Sequence, residues 1–331
     1  VARMVFVHGI GQQGSDRDEQ ERLWFPSLVK GVLFSGHRHA DRIAADLTAS
    51  CGAAREPLCG MAFYGDRFLP LDVQGGDTAV SAEVDAIADE LARAVLETAA
   101  TRGNERSAAE ALQALTQADT QLDEVQGPGA ITRNAIAVLD DHHWLASRIF
   151  GLAQRARPDL TQVARYLADA DLRARILQLA ADLIKDDTVL VIGHSLGSVV
   201  AWEAGHQLSR PLPMLITLGS PLGLGSVVYP RLHPQPPSWP PNVDRWVNVA
   251  HRDDFIAVEP RLAPLFQSTD GRLVEDHELV SKHEHHGIAG YLERPETGLA
   301  VAEALARATD AAKQPDVDLD VGAADGPDRS P

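Results

Sequence analysis

The stretch "VLVIGHSLGSVVAWEA", Val189 to Ala204, decides the fold. Four apolar residues run into Gly193-His194-Ser195-Leu196-Gly197, and small and apolar residues follow at helix-compatible spacing. Val189 to Ile192 therefore reads as a buried strand, and the residues after Gly197 as a helix. A serine between two glycines at such a junction needs a reason. Strand and helix backbones pack too closely at this turn for side chains, so glycines flank it, and the serine is held strained with its hydroxyl clear of the sheet. The next backbone N–H, that of Leu196, opens the helix, where the positive end of the dipole stabilises developing negative charge. The bland alternative is a glycine-rich turn with an ordinary serine; the strand–turn–helix context argues against it.

Further strand-like runs lie at "RMVFVHG", "CGMAFYGD", "PMLITLGSP" and "RWVNVAHRD", each bounded by Gly, Pro or charged residues. Helical patterns separate them, and that alternation predicts an α/β fold with a mostly parallel central sheet flanked by helices. The functional edge of such a sheet is the one at the carboxyl ends of its strands. From Gly75 to Ile184 the character changes. Val84, Ile87, Ala88, Leu91 and Val95 share one helical face, and Leu112, Leu115, Ile136, Leu139, Leu172, Ile176, Leu179 and Leu183 continue a helical theme. "QGPGA" at 126–130 and Pro158 are expected to interrupt these helices. The division expected is a first core segment 1–74, a helical insertion 75–184, a second core segment 185–313 and a disordered acidic tail 314–331. The proline-rich run Tyr229 to Asn242 reads as a rigid loop.

Composition narrows the function. A net charge of -17 leaves nothing basic to replace phosphate counterions, which argues against a nucleic-acid binder. No apolar run approaches a membrane span, and "VARMVFVHG" lacks a signal-peptide layout, which makes a cytoplasmic location the expectation. Cys51 and Cys59 are too few for a disulfide framework and read as reduced thiols. Oligomeric state is not legible.

A serine needs a base and an orienting acid. Asp253 and Asp254 follow the strand ending near Ala250, at the same edge as Ser195. His277, His283, His285 and His286 come next, ahead of a helix expected to start near Ile288. The order Ser, Asp, His is that of the α/β-hydrolases. "HEHH" as a metal site is disfavoured, because adjacent histidines on an irregular loop lack helical i, i+4 spacing.

On these motifs the chain resembles the α/β-hydrolase superfamily, in particular lipase-like serine esterases. The resemblance runs from Arg3 to about Ala306, leaving out the insertion. It rests on "VFVHGIGQQG", "GHSLGS", "TLGSPLGL" and a W-x-N-x…D-x-x-A pattern over Trp246, Asn248, Asp254 and Ala257. The resemblance implies Ser195 as nucleophile, Asp254 rather than Asp253 as acid, and His286 as base with His285 as runner-up. It also implies an oxyanion hole from the N–H groups of Ile10 (or its neighbours Gly9 or Gly11) and Leu196. His8 would shape that loop, and Gly193, His194 and Gly197 would complete the turn. The activity implied is hydrolysis of a small or lipid-like acyl ester without metal or cofactor. Amide or peptide hydrolysis and acyl transfer use the same residues, and a silent binding module on the same scaffold is the alternative from another class. Small lipases reach their serine much sooner after His-Gly. The insertion accounts for the excess and is expected to overhang the catalytic edge as a cap or lid.

Overall fold

The computed structural model describes residues 3–12, 14–51, 59–68, 78–124, 134–142, 145, 156–280 and 286–311. The expected tail, the "QGPGA" break, Cys51's side chain, His143, Trp144, His283 and His285 lie outside the described residues. Six strands form one sheet: β1 (Arg3–Val7), β2 (Cys59–Ala62), β3 (Thr188–His194), β4 (Met214–Leu218), β5 (Trp246–His251) and β6 (Glu275–Leu279), in the order β2-β1-β3-β4-β5-β6. Every neighbouring pair is parallel. All carboxyl ends therefore share one edge. The chain runs outward from β1 to β2 on one side and from β3 to β6 on the other, which opens a crevice between β1 and β3.

Both faces of the sheet are covered, so the central strands are apolar throughout. Met4 to Val7 and Leu190 to Ile192 are fully buried. Alternate side chains serve opposite faces. Met4, Phe6, Leu190, Ile192 and Ile216 share a core with helices α1 (Arg17–Phe34), α2 (Ala40–Cys51) and residues 300–306. Val5, Val7, Val191 and Leu215 join the core that runs into the helices between β2 and β3.

Those helices are α3 (Thr78–Arg102), α4 (Glu105–Glu124), α5 (Asn134–Asp141), α6 (Ala156–Ala168) and α7 (Ala170–Leu183). Val84, Ile87, Ala88, Leu91 and Val95 of α3 are buried, as their spacing predicts. The helical theme holds on α4, but its leucines are not the main seam: Leu112 is exposed and Leu115 only partly buried against the core, while Ala111, Ala114 and Ala118 form the fully buried face. Close packing of α4 on its neighbours needs small side chains, so alanine rather than leucine marks the seam. Asp89 of α3 caps α5, its Oδ1 accepting from the N–H groups of Ala135 (2.9 Å) and Ile136 (3.2 Å). Pro158 stands in the first turn of α6 rather than breaking a helix, where its missing N–H is not needed.

Strand β3 leads through Ser195 into α8 (Leu196–Gln207), and the chain ends its described course in α9 (Ile288–Leu292) and α10 (Pro295–Ala311). The edge strand β6, sequence EDHEL, is not among the strand-like runs read from the sequence. Its charged residues sit at the sheet's rim, where half-exposed positions tolerate them. His277 is thereby fixed opposite Val249 in the ladder.

Candidate active site

Ser195 adopts φ 53° and ψ −127°, the positive-φ conformation of a non-glycine residue that signals stored strain, of order 1–3 kcal/mol. Its N–H donates to Leu218 O of β4 (3.0 Å), which ties the turn to the neighbouring strand. The preceding glycine is obligatory. A Cβ on Gly193 would lie 2.5 Å from Gly197 O and 2.6 Å from Ser198 Cα. Ser198 Oγ reaches Ser195 O (2.5 Å) and Ser220 Oγ (2.7 Å), bracing the first turn of α8.

His286 arrives from the segment before α9. Its Nε2 lies 3.0 Å from Ser195 Oγ, and its Nδ1 lies 2.8 Å from Asp254 Oδ2. Asp254 is 1% exposed and follows β5. Its Oδ1 accepts from the N–H groups of Ile256 (2.9 Å) and Ala257 (3.3 Å), and Oδ2 also accepts from Tyr291 O–H (2.6 Å). Burial alone would raise the Asp254 pKa. The His286 ring, its hydrogen bond, Tyr291 and the Ile256 N–H outweigh burial and hold it below the usual carboxylate value. Tyr291 is pushed well above its ordinary value by burial and by Asp254, so it keeps its proton and donates. The tyrosine fits because residue 219 is glycine: a Cβ there would sit 2.8 Å from the Tyr291 ring, and its φ is 53°.

Across the crevice, the loop after β1 approaches closely enough that a Cβ on Gly9 would lie 2.9 Å from Ser195 Cβ. His8 shapes this loop. Its Nε2 accepts from Tyr64 N–H (3.0 Å), so the ring proton resides on Nδ1 and is directed at Gly9 O (2.5 Å). Burial lowers the His8 pKa to about 4, which keeps the ring neutral. Among the described residues, neither the Ile10 nor the Leu196 N–H has a hydrogen-bond acceptor. Gly11 N–H, by contrast, is taken by Gln162 Oε1 (3.2 Å). The site therefore combines a hydroxyl, an imidazole, a pinned carboxylate and two N–H donors that have no acceptor among the described residues. That set is equipped for nucleophilic attack on a carbonyl.

A family model described as alpha/beta hydrolase fold matches residues 2–306. The chain belongs to that family. No curated protein and no solved structure gives a significant match.

Within this α/β-hydrolase, the residues singled out by the sequence fall into distinct places. Asp253 makes no hydrogen bond to His286 among the described residues; its N–H donates to His251 Nδ1 (3.0 Å). Asp66, the last residue of the strand-like run CGMAFYGD, is exposed, in the turn Gly65–Phe68. His194 lies against His286: its Nε2–H donates to the carbonyl of His286 (2.9 Å), and the two rings are 5.1 Å apart. Burial, reinforced by His286, lowers the His194 pKa to about 3. Sequence reasoning missed Tyr291 as the partner of Asp254, although the signal was there: a tyrosine in the first helical turn after His286. It also missed Gln162, since nothing local in α6 points to a loop 151 residues away. Among the described residues no cluster of His, Cys, Asp or Glu is placed to hold a metal ion, and no helix is long and apolar enough to cross a membrane.

Proposed function

We propose that this α/β-hydrolase cleaves carboxylic esters through a Ser195–His286–Asp254 triad and an acyl-enzyme. The observation that carries the reading is the unbroken relay from Ser195 Oγ through His286 (3.0 Å) to Asp254 (2.8 Å), starting at a strained turn. The substrate carbonyl oxygen accepts from the Ile10 and Leu196 N–H groups. Ser195 Oγ attacks the carbon while His286 Nε2 takes the hydroxyl proton. The Asp254 carboxylate holds the imidazolium and its Nδ1–H tautomer. Collapse of the tetrahedral intermediate returns that proton to the leaving alcohol, and water repeats the sequence to release the acid. The helical stretch 75–184 serves as a cap over this edge, with α6 as its inner wall, and the acyl group of a small or lipid-like ester lies beneath it.

The test is turnover of matched short-chain p-nitrophenyl esters and the corresponding anilides. Ester hydrolysis that vanishes in Ser195→Ala supports the reading. Faster anilide cleavage would make the protein an amidase, and no Ser195-dependent turnover of either would count against catalysis.

A further inference from the structure

The three successive peptide planes of the loop at residues 8–11 are each fixed by a named contact, and one contact comes from outside the core. The His8 carbonyl accepts from Tyr64 O–H. The Gly9 carbonyl meets His8 Nδ1 (2.5 Å). A peptide unit is planar and trans, so holding the Gly9 carbonyl aims the Ile10 N–H the opposite way. The next unit is gripped at both ends. Ile10 O accepts from Gln12 Nε2 (3.2 Å), and Gly11 N–H donates to Gln162 Oε1 (3.2 Å).

Gly11 has φ 79°, and glycine enforces no conformation on its own account. The loop therefore needs an external hold at that position, and Gln162, 3% exposed on α6, provides it. Helix α6 is itself tied down. Tyr166 O–H donates to Glu203 Oε2 (2.6 Å), and Arg165 Nη1 donates to Phe68 O (2.9 Å). Gln162, Arg165 and Tyr166 fall at i, i+3 and i+4 on one helix face, so one rigid surface of the insertion grips both core and loop.

We infer that Gln162 is a positioning residue for the oxyanion hole: by holding the Ile10–Gly11 peptide it keeps the Ile10 N–H aimed at the substrate carbonyl. The inference rests on the serine-hydrolase reading above. It makes α6 a working part of the hole and not a lid that swings free of it.

The experiment compares wild type, Ser195→Ala, Gln162→Met and Gln162→Glu with a short-chain p-nitrophenyl ester, with melting temperature as the folding control. Loss of one oxyanion donor costs about a hundredfold or more in kcat. A misaimed donor should cost Gln162→Met about tenfold to a hundredfold in kcat, with KM within about threefold. Gln162→Glu keeps an acceptor for Gly11 but sets a titratable carboxyl one peptide from the hole. Its kcat should approach wild type at low pH and fall about tenfold as that carboxyl ionises. A folded Gln162→Met with wild-type kcat overturns the inference. Should Gln162→Met fail to fold, a Gln162→Glu profile that follows wild type at every pH overturns it instead. If wild type itself lacks turnover that depends on Ser195, the underlying reading fails, and the positioning role fails with it.

Discussion

Two buried carboxylates in this molecule have nearly the same surroundings and opposite capacities. Asp254 accepts from the hydroxyl of Tyr291 at 2.6 Å and from His286. Glu203, on α8 just beyond Ser195, accepts from the hydroxyl of Tyr166 at 2.6 Å and from Arg173. Arg173 Nε and Nη2 both reach Glu203, Arg173 Nη2 also donates to Arg231 O (2.9 Å), and His233 N–H completes the set (3.0 Å). A guanidinium never gives up its proton, and here, although burial works against it, the bonds to Glu203 raise the Arg173 pKa further. The Glu203 cluster can only bind pieces together: insertion, helix and proline-rich loop. An imidazole exchanges its proton, so the same carboxylate-and-tyrosine arrangement around a histidine can serve a reaction.

If that contrast is right, substitutions should separate cleanly into activity and stability. Asp254→Asn should lower kcat by about 10⁴-fold, since the wrong tautomer would face Ser195, while the melting temperature changes little. Steady-state kinetics at neutral pH checks this; a loss under tenfold would dissolve the distinction. Glu203→Ala should do the reverse. It strands Arg173 and should cost about 3–5 kcal/mol of stability by urea titration, while kcat in the folded fraction falls no more than about threefold, because Arg165 still ties α6 to Phe68 O. Tyr291→Phe removes one of the donors to Asp254 and should cost about tenfold in kcat, whereas Tyr166→Phe should cost about 1 kcal/mol of stability and, with Arg165 still tying α6 to Phe68 O, at most about twofold in kcat.

Acid sensitivity supplies a finer discriminator. Burial lowers His8 to about 4 and His194 to about 3, so the folded state holds both neutral. In the unfolded chain each takes up a proton near the ordinary histidine value. Their contribution is therefore complete above about 6.5 and is lost progressively as pH falls toward 4 and then 3. His194→Gln should flatten the fall of melting temperature between pH 6.5 and 4, and an unaltered slope would remove His194 from the list of neutral buried rings. Its loss of the bond to His286 O should also show as a modest drop in kcat.

The sequence made the site legible wherever backbone geometry forces residue type. The glycines around Ser195 are demanded by close contacts, and apolar strands such as Met4 to Val7 by burial on two faces. Legibility ended where tertiary context overrides local pattern. EDHEL carries no strand signature, because an edge strand can keep its charges wet. The alanines of α4 look like background, yet they are its packing surface. Tyr291 and Gln162 act on groups that only folding brings near, so spacing alone gave them no role. Asp254 could be chosen over Asp253 only through the resemblance, since both carboxylates stand at the same strand end.

The most direct measurement is reaction of the folded protein with a fluorophosphonate, read as intact mass and as the modified peptide. One phosphonyl adduct on Ser195, absent in Ser195→Ala and formed about 10³-fold or more slowly in Asp254→Asn, is the expected result. Labelling elsewhere, or none on a protein whose fold is intact, would contradict activation of this hydroxyl by the His286–Asp254 pair.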